Sequence, residues 1–452
     1  MPYGCEITVN PRPSILRAVF VAIVLGGCSY VADPYLGRNY SPVLPGPEEA
    51  VDHRLLLLGD AGDPVITGEP SLQLLAIHVR RIPERTTVIY LGDNVYERGM
   101  PEEEIPPAAD VAAQLADVLL PNVFDSRLAA ERSVDAQIDV IRGSGARAFF
   151  IPGNHDWDQF EIGGWGRILA LERYINKIAA GGVPVALRPE GGCPGPVPIP
   201  LGDRAMLIML DTQWFLETRE DGKPTPNRNP TNCRFTTEEE VRRALLAQMR
   251  AAGAEHRQVV IAGHHPLESN GPHGGFVDLD THLFPFRMVG AFVPFYIEWI
   301  PLPVLGSAVA GLRACCSTSA QDLSNRRNHH MRAAILAPMI EASNAGFGPL
   351  LYAAGHDHSL QVFEGERGPR FTVVSGLGSS LKASAVGRSR RTLFAHSSPL
   401  HPGFVMVDFY RDGTVRLSVI ERTGDAPEGE EVFSKLLREP AERSSREVAS
   451  AG

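Results

Sequence analysis

The chain has 452 residues, 44% of them hydrophobic, which is enough core for one large domain or two ordinary ones. Its formal net charge is −10 and it carries no basic block, so nucleic acid is set aside as the main partner: an acidic chain gains little from a phosphate backbone.

At the N-terminus, Arg12 and Arg17 precede an uncharged, mostly apolar run over 18–27. The run is too short to span a bilayer and suits the core of a signal peptide. It ends in Leu25-Gly26-Gly27-Cys28, and small residues before a cysteine resemble the lipobox of bacterial lipoproteins. That resemblance implies a signal peptide over 1–27, cleavage before Cys28 and a lipid anchor on that cysteine. Ser29 follows instead of an aspartate, which by the same resemblance implies the periplasmic face of the outer membrane in a Gram-negative host. An ordinary signal peptide with an incidental cysteine is the plainer alternative. Residues 28–50, rich in Pro, Gly and Tyr without a period, read as a tether.

From Val51 the pattern alternates. Short apolar runs at 55–58, 88–91, 148–151, 206–210, 259–262 and 351–354 read as strands buried on both faces. Helical patterns lie between several of them, at 71–82, 110–120, 132–143, 237–252 and 330–342. This alternation predicts a layered α/β domain over 51–420 with a largely parallel sheet. After Gly365, runs at 371–375, 404–409 and 414–420 follow without helices, the last two joined by the turn Arg411-Asp412-Gly413, and predict a second sheet packed on the first. Residues 421–452 read as a flexible tail with one short helix near 432–438. The stretch 276–345 stands out as an insertion. Its apolar part, 284–312, is broken by Pro285, Pro294, Pro301 and Pro303 and cannot be a simple membrane span. A lid, a surface dipping into lipid and an inert folded insertion all fit it.

Of six cysteines, Cys5 leaves with the signal peptide and Cys28 takes the lipid. Cys193 and Cys233 fall in loop-forming stretches and suit a disulfide; adjacent Cys315 and Cys316 read as structural.

Five motifs carry the chemistry: Gly59-Asp60-Ala61-Gly62, Gly92-Asp93-Asn94-Val95-Tyr96, Gly153-Asn154-His155-Asp156, Ala262-Gly263-His264-His265 and Gly355-His356-Asp357-His358. Each follows an apolar run, so each sits at the carboxyl end of an expected strand, where ligands collect in α/β sheets. Two carboxylates, a phenol, an amide and three imidazoles suffice for two metal ions, with Asp93 as the natural bridge. Two ions close together supply what phosphate ester hydrolysis needs, a strong nucleophile at ordinary pH and charge neutralisation on the phosphoryl oxygens.

On these motifs the chain resembles the calcineurin-like metallophosphoesterases, and among them the purple acid phosphatases of the small, tartrate-resistant type. Gly62 and Tyr96 carry the distinction, because most of the wider superfamily has a histidine at the first place and no metal-binding tyrosine. The resemblance covers roughly 51–420, with 276–345 unmatched. It implies a four-layer α-β-β-α sandwich of two mixed sheets with a binuclear site at the strand carboxyl ends. It further implies that Asp60, Tyr96 and His358 hold Fe(III), that Asp93 bridges, and that Asn154, His264 and His356 hold Fe(II), Zn(II) or Mn(II). His155 would contact the phosphoryl group and protonate the leaving oxygen. His273 matches a second substrate histidine. His265 stands where tyrosine is usual, so its catalytic role is open. The implied activity is hydrolysis of phosphomonoesters by a metal-activated hydroxide, acting on a phosphorylated small molecule or a lipid-linked substrate. A phosphodiesterase, a lipid-linked pyrophosphate hydrolase and a non-catalytic phosphate-binding lipoprotein remain as alternatives.

Overall fold

The computed structural model describes residues 33–64, 68–102, 127–277, 282–284, 286, 299–424 and 426–440. The expected signal peptide, Cys28 and the helix expected at 110–120 lie outside these residues.

Fifteen strands form two mixed sheets among the described residues. One sheet contains β2 (Val51–Leu58), β3 (Thr86–Tyr90), β4 (Arg147–Phe150) and β5 (Val185–Leu187) in parallel. It is extended antiparallel on the far side of β2 by β13 (Gly403–Tyr410), β14 (Val415–Glu421) and β15 (Glu430–Arg438). In the other sheet, β7 (Ala205–Met209), β8 (Gln258–Ala262), β9 (Leu351–Ala354) and β11 (Phe371–Ser375) run parallel. Its edges are β6 (Val197–Leu201) on one side and β10 (Leu360–Glu364), β12 (Thr392–His396) and β1 (Tyr35–Leu36) on the other.

The two-residue period of the strands builds the layers. Leu55 and Leu57 of β2, Leu207 and Met209 of β7, Val260 and Ala262 of β8, and Val405 and Val407 of β13 meet between the sheets. The alternate residues face outward onto helices. Leu56 and Leu58 pack with Leu72 and Val79 of α1 (Pro70–Val79), Val134 of α2 (Arg127–Asp139) and Ile168 of α3 (Gly164–Ala180). Ile208 and Ile261 pack with Trp214 of α4 (Thr212–Glu217), Val241 and Leu245 of α5 (Glu238–Ala254), and Met331 and Ile335 of α7 (Arg326–Asn344). The result is a four-layer α-β-β-α sandwich. The leucines at 55–58 are all fully buried, each worth about 1.5–3 kcal/mol of transfer free energy. Local signals set the helix starts. Thr237 and Glu240 close a reciprocal capping box on α5, and Asp211 accepts from the Trp214 N–H to start α4.

The structure corrects several expectations. The six apolar runs do not share a sheet: β2, β3 and β4 lie in one, β7, β8 and β9 in the other, and β13–β14 extend the first while β11 joins the second. Glu430–Arg438 is a strand, not a helix, because its backbone pairs along the open edge of β14. Residues 33–50 are not a free tether: β1 pairs with β12, and Tyr40 stacks on Phe433 with ring centroids 5.1 Å apart. The stretch 276–345 is not wholly insertion, since α7 belongs to the outer helix layer. Cys193 and Cys233 form a disulfide, whereas Cys315 and Cys316 are free and exposed at the end of α6 (Pro303–Cys316) instead of structural. Among the described residues no helix is long and apolar enough to cross a membrane.

Candidate metal centre

All five motifs converge. Asp60 follows β2, Asp93 and Tyr96 follow β3, Asn154 follows β4, His264 follows β8, and His356 and His358 follow β9. The backbone must turn sharply at these strand ends, and it does so at the ligands themselves. Asp60, Asp93 and His356 have φ of 61°, 54° and 74°, a left-handed conformation uncommon outside glycine and found where a site is over-determined by its surroundings. The glycines provide space. A Cβ on Gly153 would lie 2.2 Å from Asp93 Oδ1 and 2.3 Å from its backbone nitrogen.

Backbone carbonyls fix the three imidazoles. His264 Nδ1–H donates to the Leu91 carbonyl (2.8 Å), His356 Nε2–H to that of Gln321 (3.1 Å) and His358 Nδ1–H to that of Lys382 (2.8 Å). A carbonyl only accepts, so each outer nitrogen carries the proton and each inner nitrogen turns a lone pair into the site. Two groups of donor atoms result. In one, His264 Nε2, His356 Nδ1 and Asn154 Oδ1 stand 2.8–3.1 Å apart. None of these three atoms has a proton to share, and a cation is what such a triangle lacks. In the other, Tyr96 Oη lies 3.2 Å from Asp60 Oδ1, 3.2 Å from Asp93 Oδ2 and 3.0 Å from His358 Nε2. Asp93 stands between the two groups. Its Oδ1 is 3.4 Å from His264 Nε2 and its Oδ2 is the oxygen facing Tyr96, so the sequence-based bridge has one oxygen for each group.

The electrostatics agree with this arrangement. Burial, with His273, His265 and His264 alongside, holds His356 well below the usual imidazole range, in the neutral form that ligates. Burial would raise the Asp93 carboxyl, but His264 and His155 outweigh it and keep it low. Burial and the Asp60 and Asp93 carboxylates push the Tyr96 phenol well above its usual range, so a phenolate there needs a strongly charged cation beside it. The donor set therefore fits two metal ions, a hard oxygen-rich position and an imidazole-rich one.

The three histidines expected to act on substrate separate. His155 stands at the mouth: its Nδ1–H donates to the Glu97 carbonyl (2.7 Å), which turns Nε2 toward Asp93 Oδ2 at 3.9 Å. His273 stacks over His356 with ring centroids 4.0 Å apart, and its Nδ1–H donates to Asp322 (2.8 Å). Burial would raise Asp322, but hydrogen bonds from His273 and Arg313 hold it down at about 2. His265 does not reach the mouth. It is fully buried; Nδ1 accepts from the Thr212 hydroxyl (2.8 Å) and Nε2–H donates to Gln321 Oε1 (2.6 Å). It contacts Gln321, whose backbone carbonyl orients His356, and its ring centroid lies 4.5 Å from that of His356.

Several residues at the site were missed in the sequence. Asp156, within a motif but given no role, accepts backbone N–H bonds from Gly153, Asn94 and Val95 at 2.8–3.2 Å and pins the second motif to the third. Its place in Gly-Asn-His-Asp was the available signal. Gln321 and Asp322 come from the unmatched stretch and carried none. Lys382 places its ammonium 4.3 Å from the centre of the Tyr96 ring and pairs with Glu97.

No family model matches the sequence, and no curated protein does. Solved structures do show likeness. GAP50, the anchor in the inner membrane complex of Plasmodium, is 14% identical over 86% of this chain and 90% of its own, with a TM-score of 0.49. A dimetal phosphatase from Danio rerio is 12% identical over 86% and 99%, with a TM-score of 0.40. PhoD is 11% identical over 89% and 74%, with a TM-score of 0.42. At these identities and scores none of them says what this chain acts on.

Proposed function

We propose that this chain is a metallophosphoesterase, a hydrolase of phosphate esters working through two metal ions, with phosphomonoesters as its main substrates. The observation that carries the reading is the pair of donor groups on either side of Asp93, one oxygen of which faces each group. In this reading Asp60, Tyr96 and His358 would hold a ferric ion, Asn154, His264 and His356 would hold a divalent one, and Asp93 would serve both. When bound, such a pair supplies a strong nucleophile from water and neutralises charge on the phosphoryl oxygens.

The chain's own side chains do the remaining work. His155, oriented through the Glu97 carbonyl, presents Nε2 to the site and, as the imidazolium, gives the Nε2 proton to the leaving oxygen. His273, held by Asp322 through Nδ1, offers its Nε2 to substrate as a second donor when the ring is the imidazolium. The Lys382 ammonium beside Tyr96 adds positive charge at the mouth, where a phosphoryl group must enter.

One observation favours a second reading, a membrane-borne or lipid-linked substrate. On and just before α6, Trp299, Ile300, Val304, Leu305 and Leu312 are exposed. From the same helix Arg313 bonds Asp322, which holds His273. The lipid anchor at Cys28 and a location at the cell envelope belong to the same proposal, and their support is the sequence of residues 12–28; Cys28→Ala should release the protein from membranes.

The test is hydrolysis of an aryl phosphomonoester against a bis-aryl phosphodiester by the full chain loaded with iron and zinc. Preference for the monoester supports the first reading. Preference for the diester, or turnover only of a lipid-linked pyrophosphate, moves weight to the second. Phosphate binding with no turnover of any ester would leave a binding protein.

A further inference from the structure

A second cluster of metal-binding side chains lies where the two sheets meet. β12 of the eight-stranded sheet ends at His396, which pairs with Leu360 of β10. β14 of the seven-stranded sheet ends at Glu421, which pairs with Gly403 of β13. His401 lies in the short connection between β12 and β13. His396 is 1% exposed and Glu421 is fully buried. Neither contributes to the centre around Asp93.

The contacts are those of a ligand set. His396 Nδ1 lies 2.9 and 2.8 Å from the two Glu421 carboxylate oxygens. The His401 ring stands 5.4 Å from that of His396, tilted by 34°. One potential ligand atom from each residue falls within 4.8 Å of the other two. A proton shared by His396 and Glu421 would account for those two residues but not for the third. His401 Nδ1 is buried and has no hydrogen-bond partner among the described residues, which is costly for a polar atom.

We propose that His396, His401 and Glu421 form a third metal site, distinct from the binuclear centre, that takes a divalent ion of the zinc type. Two imidazoles and a carboxylate are a zinc donor set, with the fourth position left for water. Zinc bonds of 2.0–2.2 Å in a tetrahedron hold ligand atoms about 3.3 Å apart, which lies between the 2.8 Å of the closest His396–Glu421 contact and the 4.8 Å that bounds all three. The ion would tie an edge region of one sheet to the other and stiffen the 397–402 connection. Ser397 in that connection donates to the carbonyl of His358 (2.9 Å), so the tie lies beneath one arm of the binuclear centre. This inference stands on residues that the proposed activity does not use.

The test is a count of zinc bound by metal-stripped full chain after reloading and dialysis, by plasma mass spectrometry. The wild type should hold three equivalents and His401→Ala two. A chain with Asp93→Asn and His264→Ala, which disables the binuclear centre, should hold one, lost on adding His401→Ala. A wild type that holds one equivalent, abolished by His401→Ala, would sustain this site while removing the binuclear one. Three equivalents in His401→Ala, or none in the Asp93→Asn/His264→Ala chain, would overturn the proposal. Should His401→Ala fail to fold, zinc-edge X-ray absorption of the Asp93→Asn/His264→Ala chain decides. Two imidazole ligands are expected, and a spectrum without imidazole refutes the site.

Discussion

Gly153→Ala adds one carbon atom where there is no room for it. The new Cβ would sit 2.2 Å from Asp93 Oδ1, 2.3 Å from Asp93 N and 3.0 Å from Asp93 Cγ. Ordinary van der Waals contact lies above about 3.4 Å, so Asp93 must retreat by about 1 Å. The backbone nitrogen cannot swing aside as a side-chain tip can. A 1 Å misplacement at a catalytic site costs about 100-fold in rate. The substitution should therefore lower kcat on an aryl phosphomonoester by about that factor and weaken retention of metal on dialysis. Gly311→Ala is the control, because no atom of the described residues lies within 4 Å of its Cβ in α6 and the change should stabilise the helix by about 0.5–1 kcal/mol. Both variants are compared by initial rate, metal content and thermal melting. A Gly153→Ala protein with wild-type rate and metal content would refute the close approach of the second and third motifs on which the site is built.

Other consequences reach beyond the centre. Asp408 takes two hydrogen bonds from Arg54, 2.7 and 2.9 Å long, with both side chains buried; Asp408→Asn should cost about 3–5 kcal/mol in denaturant unfolding by leaving a buried guanidinium poorly paired. His53 is lowered to about 4 by burial, with Arg147 and Arg85 adding to the effect. The unfolded chain then binds the proton first, so stability is full above about pH 6.5, falls as the pH drops toward 4 and is flat below. The loss is at most about 3 kcal/mol, and its absence from a His53→Gln protein, compared by unfolding midpoint across that range, checks the sign. Tyr96→Phe should abolish the visible absorption of the iron-loaded protein, and a surviving colour would remove tyrosine from the ferric position.

The centre was legible because its ligands are side chains at fixed offsets from strand ends, and strand ends show in the apolar runs. Asp93 is the expected bridge from its place in the second motif, beside Asn154 and Tyr96, and one of its oxygens faces each donor group. What orients the ligands was hidden, since the partners of His264, His356 and His358 are the backbone carbonyls of Leu91, Gln321 and Lys382, and a carbonyl has no residue signature. The division of strands between sheets was also hidden. A run such as 206–210 looks the same whichever sheet it joins, and only the pairing of β7 with β8 settles it. In β15, Phe433 and Leu437 are buried four residues apart, a helical spacing, and the open edge of β14 overrides it. The setting of His265 was hidden as well, since its neighbour His264 turns toward Asn154 and His356 while His265 hydrogen-bonds Thr212 and Gln321.

The proposed phosphate ester hydrolysis depends on metal held around Asp93. The most direct measurement is phosphate release from an aryl phosphomonoester by metal-stripped full chain, before and after reloading with iron and zinc, beside an Asp93→Asn chain treated identically. Activity should be absent without metal, return on reloading, and stay at background in Asp93→Asn. Equal turnover in the stripped protein, or in reloaded Asp93→Asn, would contradict it.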